Sequence, residues 1–235
     1  MIPIKYNIGH LKARGVATAM SIFGIGIVIA VMVSMIALHN GVTKATRNSG
    51  SKEAMMILRE GAQAEVTSWV NKDAYRIIRA LPGIAQEKGE PLISPEIVVS
   101  FKIPKKDNPT GANVSVRGVT PVAFTMRPYV KLIEGRMFNH GVNEVIVSRR
   151  VRDRFVNTSV GDRFQFGPQQ WNVVGVFEAP GTAFDSEIWA DVDYLGQARK
   201  RNAYSSVVLQ PTDADAFTSI KSSIQNDNRL KLLVK

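Results

Sequence analysis

From Val16 to Leu38 the chain reads VATAMSIFGIGIVIAVMVSMIAL, 23 consecutive positions without a charge. At about 1.5 Å per residue, a helix over this stretch is roughly 35 Å long, enough to cross a hydrocarbon core of about 30 Å. The pattern predicts a transmembrane helix over 16–38, after a juxtamembrane segment over 1–15. The alternative is a secretory signal peptide, because Lys5, Lys12 and Arg14 form a basic head before the apolar run. Such runs cover only about 7–15 residues, and no small-x-small cleavage site follows Leu38. Within the span Gly26, Ala30 and Ser34 recur every fourth position, a stripe of small side chains that lets another membrane helix approach closely.

Beyond the span the periodicity changes. Residues 39–54 are rich in Thr, Asn, Ser and Gly and read as a neck. Met55 to Leu58 is a short apolar strand, and Ala74, Ile77, Ile78 and Leu81 mark one face of a helix from about Asn71 to Ala80, stopped by Pro82-Gly83. Ile97 to Lys102 and Asn113 to Val119 read as strands flanking the turn PKKDNPTG. Glu144 to Val147 predicts a strand leading into a basic helix near Arg149 to Phe155. Asp162 to Phe166 and Trp171 to Phe177 predict a hairpin around Gly167-Pro168. At the end come a strand, Ser205 to Leu209, a helix over Thr212 to Gln225 capped by Thr212 or Asp213, and a closing strand alternating at Leu230, Leu232 and Val234. Strand–helix modules at both ends with a β-rich stretch between them make the fold class α+β.

The charge balance sharpens this picture. The whole chain of 235 residues carries a formal charge of +10, and the part after residue 38 has 27 basic against 20 acidic side chains. That suits an anionic membrane surface, and a membrane span is a poor start for a nucleic-acid binder. The clusters Lys105-Lys106, Arg149 to Arg154 and Arg199 to Arg201 lack interleaved aromatic pairs and read as solvated faces. Lys5, Lys12 and Arg14 before the span are nearly matched by Lys44, Arg47 and Lys52 after it, so charge counting alone does not orient the helix. An inside amino terminus with the bulk of the chain outside is the favoured topology, and the absence of Cys fits an oxidising compartment.

Candidate chemistry is sparse. The histidines, His10, His39 and His140, lie far apart in sequence and offer no zinc spacing. Ser49-Gly-Ser-Lys52 matches the S-x-x-K pattern of acylating serines, without its S-D-N and K-T-G companions. Asp185 and Glu187, two apart on an expected strand, read as a solvated carboxylate pair. No G-x-x-x-x-G-K-[ST] loop is present, so the chain has no site of that type for ATP. The residues predict no catalytic, metal or cofactor site.

Several stretches taken together resemble the amino-terminal half of a MacB-like, FtsX-related ABC transporter permease. They are LREGAQAEVTS (58–68), LPGI (81–84), VRGVTP (116–121), LIEGRMF (132–138), NEVIVS (143–148), VGDRFQFGPQQWNVVGVF (160–177) and SEIWAD (186–191). As structure, Gly118, Gly135, Gly161 and Gly175 suit turns, bulges or close packing, while Trp171, Phe177 and Trp189 suit a sheet core or a partner contact. The resemblance implies a first span followed by a periplasmic core domain in the bacterial inner membrane, amino terminus in the cytoplasm. It implies a strand–helix subdomain over 55–112 and 200–235 and a β-rich insertion over 113–199. It also implies a second permease protomer, a periplasmic adaptor, and a cytoplasmic ABC ATPase that binds the ATP, while this chain binds no cofactor itself. Such permeases have four spans and this sequence shows one, so it is expected to be a fragment or a truncated frame. The alternative is a single-pass tethered binding or adaptor module, although no sustained heptads of a helical hairpin are found.

Overall fold

The computed structural model describes residues 14–49, 54–167 and 169–235. The chain divides after Arg47 into two compact units, each of which is described by itself.

The described part of the first unit is formed by helix α1, Gly15–Ser49, up to Arg47. Within Gly15–Gly41 its most apolar 18-residue window has a mean hydropathy of 2.6, and the described side chains lie on the outside all round. A helix apolar on every face has no core of its own to meet and calls for lipid or other helices. The hydroxyls of Ser21 and Ser34 donate to the carbonyls of Ala17 and Ala30 at 3.0 and 2.7 Å, so neither polar group is left bare in an apolar medium. The helix does not stop where the apolar run ends. The expected neck is helical as far as Ser49, because extending a formed helix costs little once the nucleus exists and no proline interrupts the segment.

The second unit is built on a ten-stranded sheet. Its strands are β1 (Met55–Arg59), β5 (Ile93–Ile103), β6 (Ala112–Val119), β7 (Lys131–Gly135), β8 (Glu144–Ser148), β9 (Arg163–Phe166), β10 (Gln169–Glu178), β11 (Glu187–Asp191), β13 (Ser206–Leu209) and β14 (Leu232–Val234). Short pairs β2 (Val70–Asn71) with β12 (Ala203–Tyr204) and β3 (Gln86–Glu87) with β4 (Glu90–Pro91) lie apart from it. The order across the sheet is β14-β1-β13-β5-β6-β11-β8-β10-β7, with β9 hairpinned onto β10. Strand β5 joins two groups of strands: residues 93–96 pair with β13 and residues 97–103 with β6.

Helices α2 (Lys72–Arg79), α3 (Val122–Thr125), α4 (Arg149–Arg154), α5 (Val192–Ala198) and α6 (Ala214–Asn226) pack on this frame. Asp213 caps α6, accepting from the Ala216 amide at 2.8 Å, and Ile220 and Ile224 are the buried positions of its inner face. The order of strands and helices agrees with the α+β expectation, and the hairpin at Gly167 is present; Pro168 lies outside the described residues.

Gly135 and Gly175 show why two of the expected glycines are glycines. They face each other across β7 and β10 beside a register shift, and Gly135 has φ +73°. A Cβ on Gly135 would stand 2.2 Å from the Val174 carbonyl oxygen, and one on Gly175 would stand 2.4 Å from that of Arg136. Only residues without a side chain let the bulged strands close here.

Candidate functional site: a buried ionic cluster

Five charged side chains from distant parts of the chain meet inside the second unit. Arg117 lies on β6 between Val116 and Gly118, and only 4% of its side chain is exposed. Its Nε and Nη2 donate to Glu187 at 2.8 and 3.0 Å, a two-pronged bond to the first residue of β11. Nη1 and Nη2 also donate to the two oxygens of Glu65 at 2.9 Å each, and Nη1 donates to Glu96 Oε2 on β5 at 2.7 Å. Arg127, just after α3, lies 2.7 Å from the other oxygen of Glu96, in contact as an ion pair but oblique to a hydrogen-bond axis. Three carboxylates thus stand against two guanidinium groups. The excess negative charge is met by neutral donors: the Ser206 hydroxyl to Glu65 at 2.6 Å and the Trp189 indole N–H to Glu187 at 2.9 Å. The Phe184 ring is 5.0 Å from both guanidinium carbons, so their faces meet an aromatic quadrupole.

The electrostatics follow from this geometry. Burial by itself would raise the Glu65 carboxyl, but the charge and hydrogen bonds of Arg117, the Ser206 hydroxyl and the charge of Arg127 outweigh it and hold the group at about 2. Burial would lower Arg117, yet Glu187, Glu65 and Glu96 together raise it well above its ordinary value. Every carboxylate in the cluster faces a cation, so none is placed as a free base. The arrangement acts as a clamp on the turn after β1, on β5, β6, β11 and on β13. The backbone around Glu65 is held further: Ser68 accepts from the Arg59 amide at 2.9 Å, and its carbonyl accepts from Arg201 at 2.6 Å.

This cluster corrects two expectations. Asp185 and Glu187 are not a solvated pair: Asp185 lies in a 3-10 turn (Ala183–Ser186) against Arg150 at 3.2 Å, while Glu187 is buried on Arg117. The turn places them apart where a continuous strand would have aligned them. Arg201 is not a solvated cation either; it is half-buried and donates to the Ser68 and Val98 carbonyls. The helix at Arg149–Arg154 does keep an exposed basic face, its Arg149 and Arg152 paired with Glu178 and Glu134.

The structure places the remaining candidates as follows. Trp171, Phe177 and Trp189 have no exposed surface. Phe177 and Trp189 pack in one cluster with Phe184 and Val119, whereas Trp171 stacks on Phe166 at 4.5 Å with its indole nitrogen unpartnered. Gly26, Ala30 and Ser34 are exposed on α1, and a Cβ on Gly26 would meet nothing within 4 Å. His39 is exposed on α1, His10 and Lys52 lie outside the described residues, and His140 meets Asp191.

The sequence reading did not find the cluster, although signals were present. Glu96 and Arg117 each stand between apolar or small strand neighbours, and Glu187 directly precedes the apolar run Ile188 to Ala190; opposite charges in such settings ask for one another. Three of the stretches that carried the resemblance supply its members: Glu65 from 58–68, Arg117 from 116–121, and Glu187 with Trp189 from 186–191.

The fold and the clamp define a sheet-based α+β domain in a chain that carries, among its described residues, one helix long and apolar enough to cross a membrane. The profile of the MacB-like periplasmic core domain family matches residues 18–227, and the chain belongs to that family. Among solved structures the chain is similar to the extracellular domain of the ABC-type transporter YknZ from Gram-positive bacteria, with 17% identity and a TM-score of 0.58 over 77% of this chain and 99% of that one. It is also similar to the periplasmic region of MacB from Actinobacillus actinomycetemcomitans, with 15% identity and a TM-score of 0.58 over 80% and 90% of the two chains. At these identities the likeness speaks for the fold. No curated protein sequence matches the chain.

Proposed function

We propose that this chain is the amino-terminal portion of an ABC transporter permease subunit, with α1 as its first span and the sheet domain as the extracytoplasmic part. The amino terminus lies in the cytoplasm of a bacterium and the bulk of the chain outside the inner membrane. A cytoplasmic ABC ATPase binds and hydrolyses the ATP, and its cycle moves the outer domain so that a substrate is exported or extracted. A second permease protomer and a periplasmic adaptor complete the machine. The observation that carries this reading is that one family match runs from residue 18, within the apolar helix, through the sheet domain to residue 227. The clamp supports it, because strands tied by buried ion pairs form a stiff body suited to transmitting displacement.

The chain has no cysteine, so single cysteines report its topology cleanly. A membrane-impermeant maleimide is expected to label N108C, in an exposed turn, in cells with an intact inner membrane, and K5C only after that membrane is opened. The reverse pattern overturns the orientation. For the coupling, the chain purified from its native membranes is expected to carry an ABC ATPase with it; a chain that stands alone there returns the reading to a tethered module. The small-residue stripe enters this reading as a packing face. G26L combined with A30L is expected to reduce cross-linking between copies in the membrane severalfold, and unchanged cross-linking removes the stripe from the assembly.

A further inference from the structure

His140, Asp191 and Asp193 offer one ligand atom each within 4.8 Å of one another, outside the ionic cluster. The three come from a turn, a strand and a helix. His140 belongs to the turn between β7 and β8, whose base is fixed by the two-pronged Arg136–Glu144 pair at 2.7 and 2.5 Å and by the Asn139 amide on Glu144 at 2.9 Å. Asp191 ends β11, and Asp193 stands in the first turn of α5.

The hydrogen bonding directs a lone pair toward an open carboxylate. Asp191 is 1% exposed, and its Oδ1 accepts the Tyr194 amide at 2.8 Å, which caps α5. Its Oδ2 lies 2.5 Å from His140 Nδ1. A carboxylate acceptor at that position keeps the ring proton on Nδ1, so the neutral imidazole carries its lone pair on Nε2. That nitrogen lies 3.9 Å from Asp193 Oδ2, and both side chains reach solvent, at 66% and 48% exposure. In the neutral ring, then, two acceptors face each other across that gap, a juxtaposition that a bound cation satisfies.

We propose that this triad is a divalent transition-metal site of the zinc class, with His140 Nε2 and Asp193 as direct ligands and Asp191 as the carboxylate that orients the imidazole. Bonds of about 2.0–2.2 Å from zinc set tetrahedral ligand atoms about 3.4 Å apart, so the exposed Asp193 side chain closes the gap by a shift of about 0.5 Å, and water fills the outward positions. The mixed imidazole and carboxylate set favours zinc, nickel or copper over calcium or magnesium, which prefer oxygen alone. A buried carboxylate behind a ligating imidazole is the usual support that fixes its tautomer. A bound ion clips the β7–β8 turn to the start of α5.

The test uses the tag-free full chain in detergent, with zinc competed against a chromophoric chelator and cobalt followed by its visible absorption. One zinc per chain is expected. H140A abolishes it and D193N weakens it by at least about tenfold. D191N keeps a capping acceptor for α5 but offers its amide N–H to Nδ1, turning the lone pair away from Asp193. Its affinity therefore falls by about 10–100-fold with the circular dichroism unchanged. H39A, on α1, leaves binding unchanged. Absence of binding, or binding that survives H140A, overturns the proposal and leaves His140 as a hydrogen-bond donor to Asp191.

Discussion

Replacing Arg117 with methionine is expected to destabilise the sheet domain by about 3–5 kcal/mol, the largest effect of any single substitution considered for this chain. Methionine has about the length and volume of the arginine stem, so the loss is not that of a cavity. It arises because Glu65 and Glu187 lose their guanidinium partner while Glu96 keeps only Arg127. Against a domain stability of about 5–15 kcal/mol this is about a fifth of the total or more. R117K keeps the charge but offers three donors where Arg117 makes five bonds in a planar fork, and is expected to fall between methionine and the native chain. Denaturant unfolding of the full chain in detergent, followed by tryptophan emission, reads the effect, since Trp189 donates directly to Glu187. A loss below about 1 kcal/mol in R117M would show that the carboxylates find other partners and that the clamp idea is wrong.

The cost of breaking the cluster does not measure what the cluster contributes. Desolvating five charges consumes much of what their attraction returns, and well-packed apolar replacements of such sets are often neutral or stabilising. What the apolar replacement would lose is geometry. Arg117 has five donors in a rigid fork, and its partners Glu65, Glu96 and Glu187 come from other strands or turns, between 21 and 70 residues away in sequence. An apolar contact at the same place would tolerate sliding of β5 against β6 and β11; the fork does not. A domain that is to move as one body has a use for that intolerance.

The same distances explain what could be read before the structure. Local patterns sufficed for α1, where 23 uncharged residues leave no alternative element, for α6 with its cap at Asp213, and for the hairpin at Gly167. The glycine pair at Gly135 and Gly175 was legible as a need for close backbone but not as a pair, because 40 residues separate its members. Helix α1 running on to Ser49 was missed, since a polar composition says nothing against extending a helix already formed. The cluster was missed for another reason. Each of its charged members looks like an isolated polar residue in its own segment, and their convergence depends on the strand order, in which β11 lies between β6 and β8. The sequence does not display that order. Sequence pairs Glu187 with Asp185, because proximity along the chain is the only proximity it displays.

The pH dependence of stability gives the second large effect. Glu65 has a folded-state value of about 2 against an ordinary value of 4.5. A folded value below the unfolded one means that the unfolded chain takes up the proton first as pH falls. The stabilisation is therefore complete above about pH 4.5, declines between about 4.5 and 2, and is gone below that. The difference corresponds to about 3 kcal/mol, and since the side chain is only 18% exposed, little of it is screened by solvent. Asp227, held at about 2 by hydrogen bonds from Arg229, titrates in the same window, so the acid slope of the native chain is not that of Glu65 alone. The comparison with E65Q isolates it. Glutamine resembles the protonated acid, so E65Q is expected to be less stable by up to about 3 kcal/mol at neutral pH and to converge with the native chain near pH 2. A constant difference between the two curves from pH 7 to pH 2 would mean that Glu65 holds its turn by shape and not by its charge on Arg117.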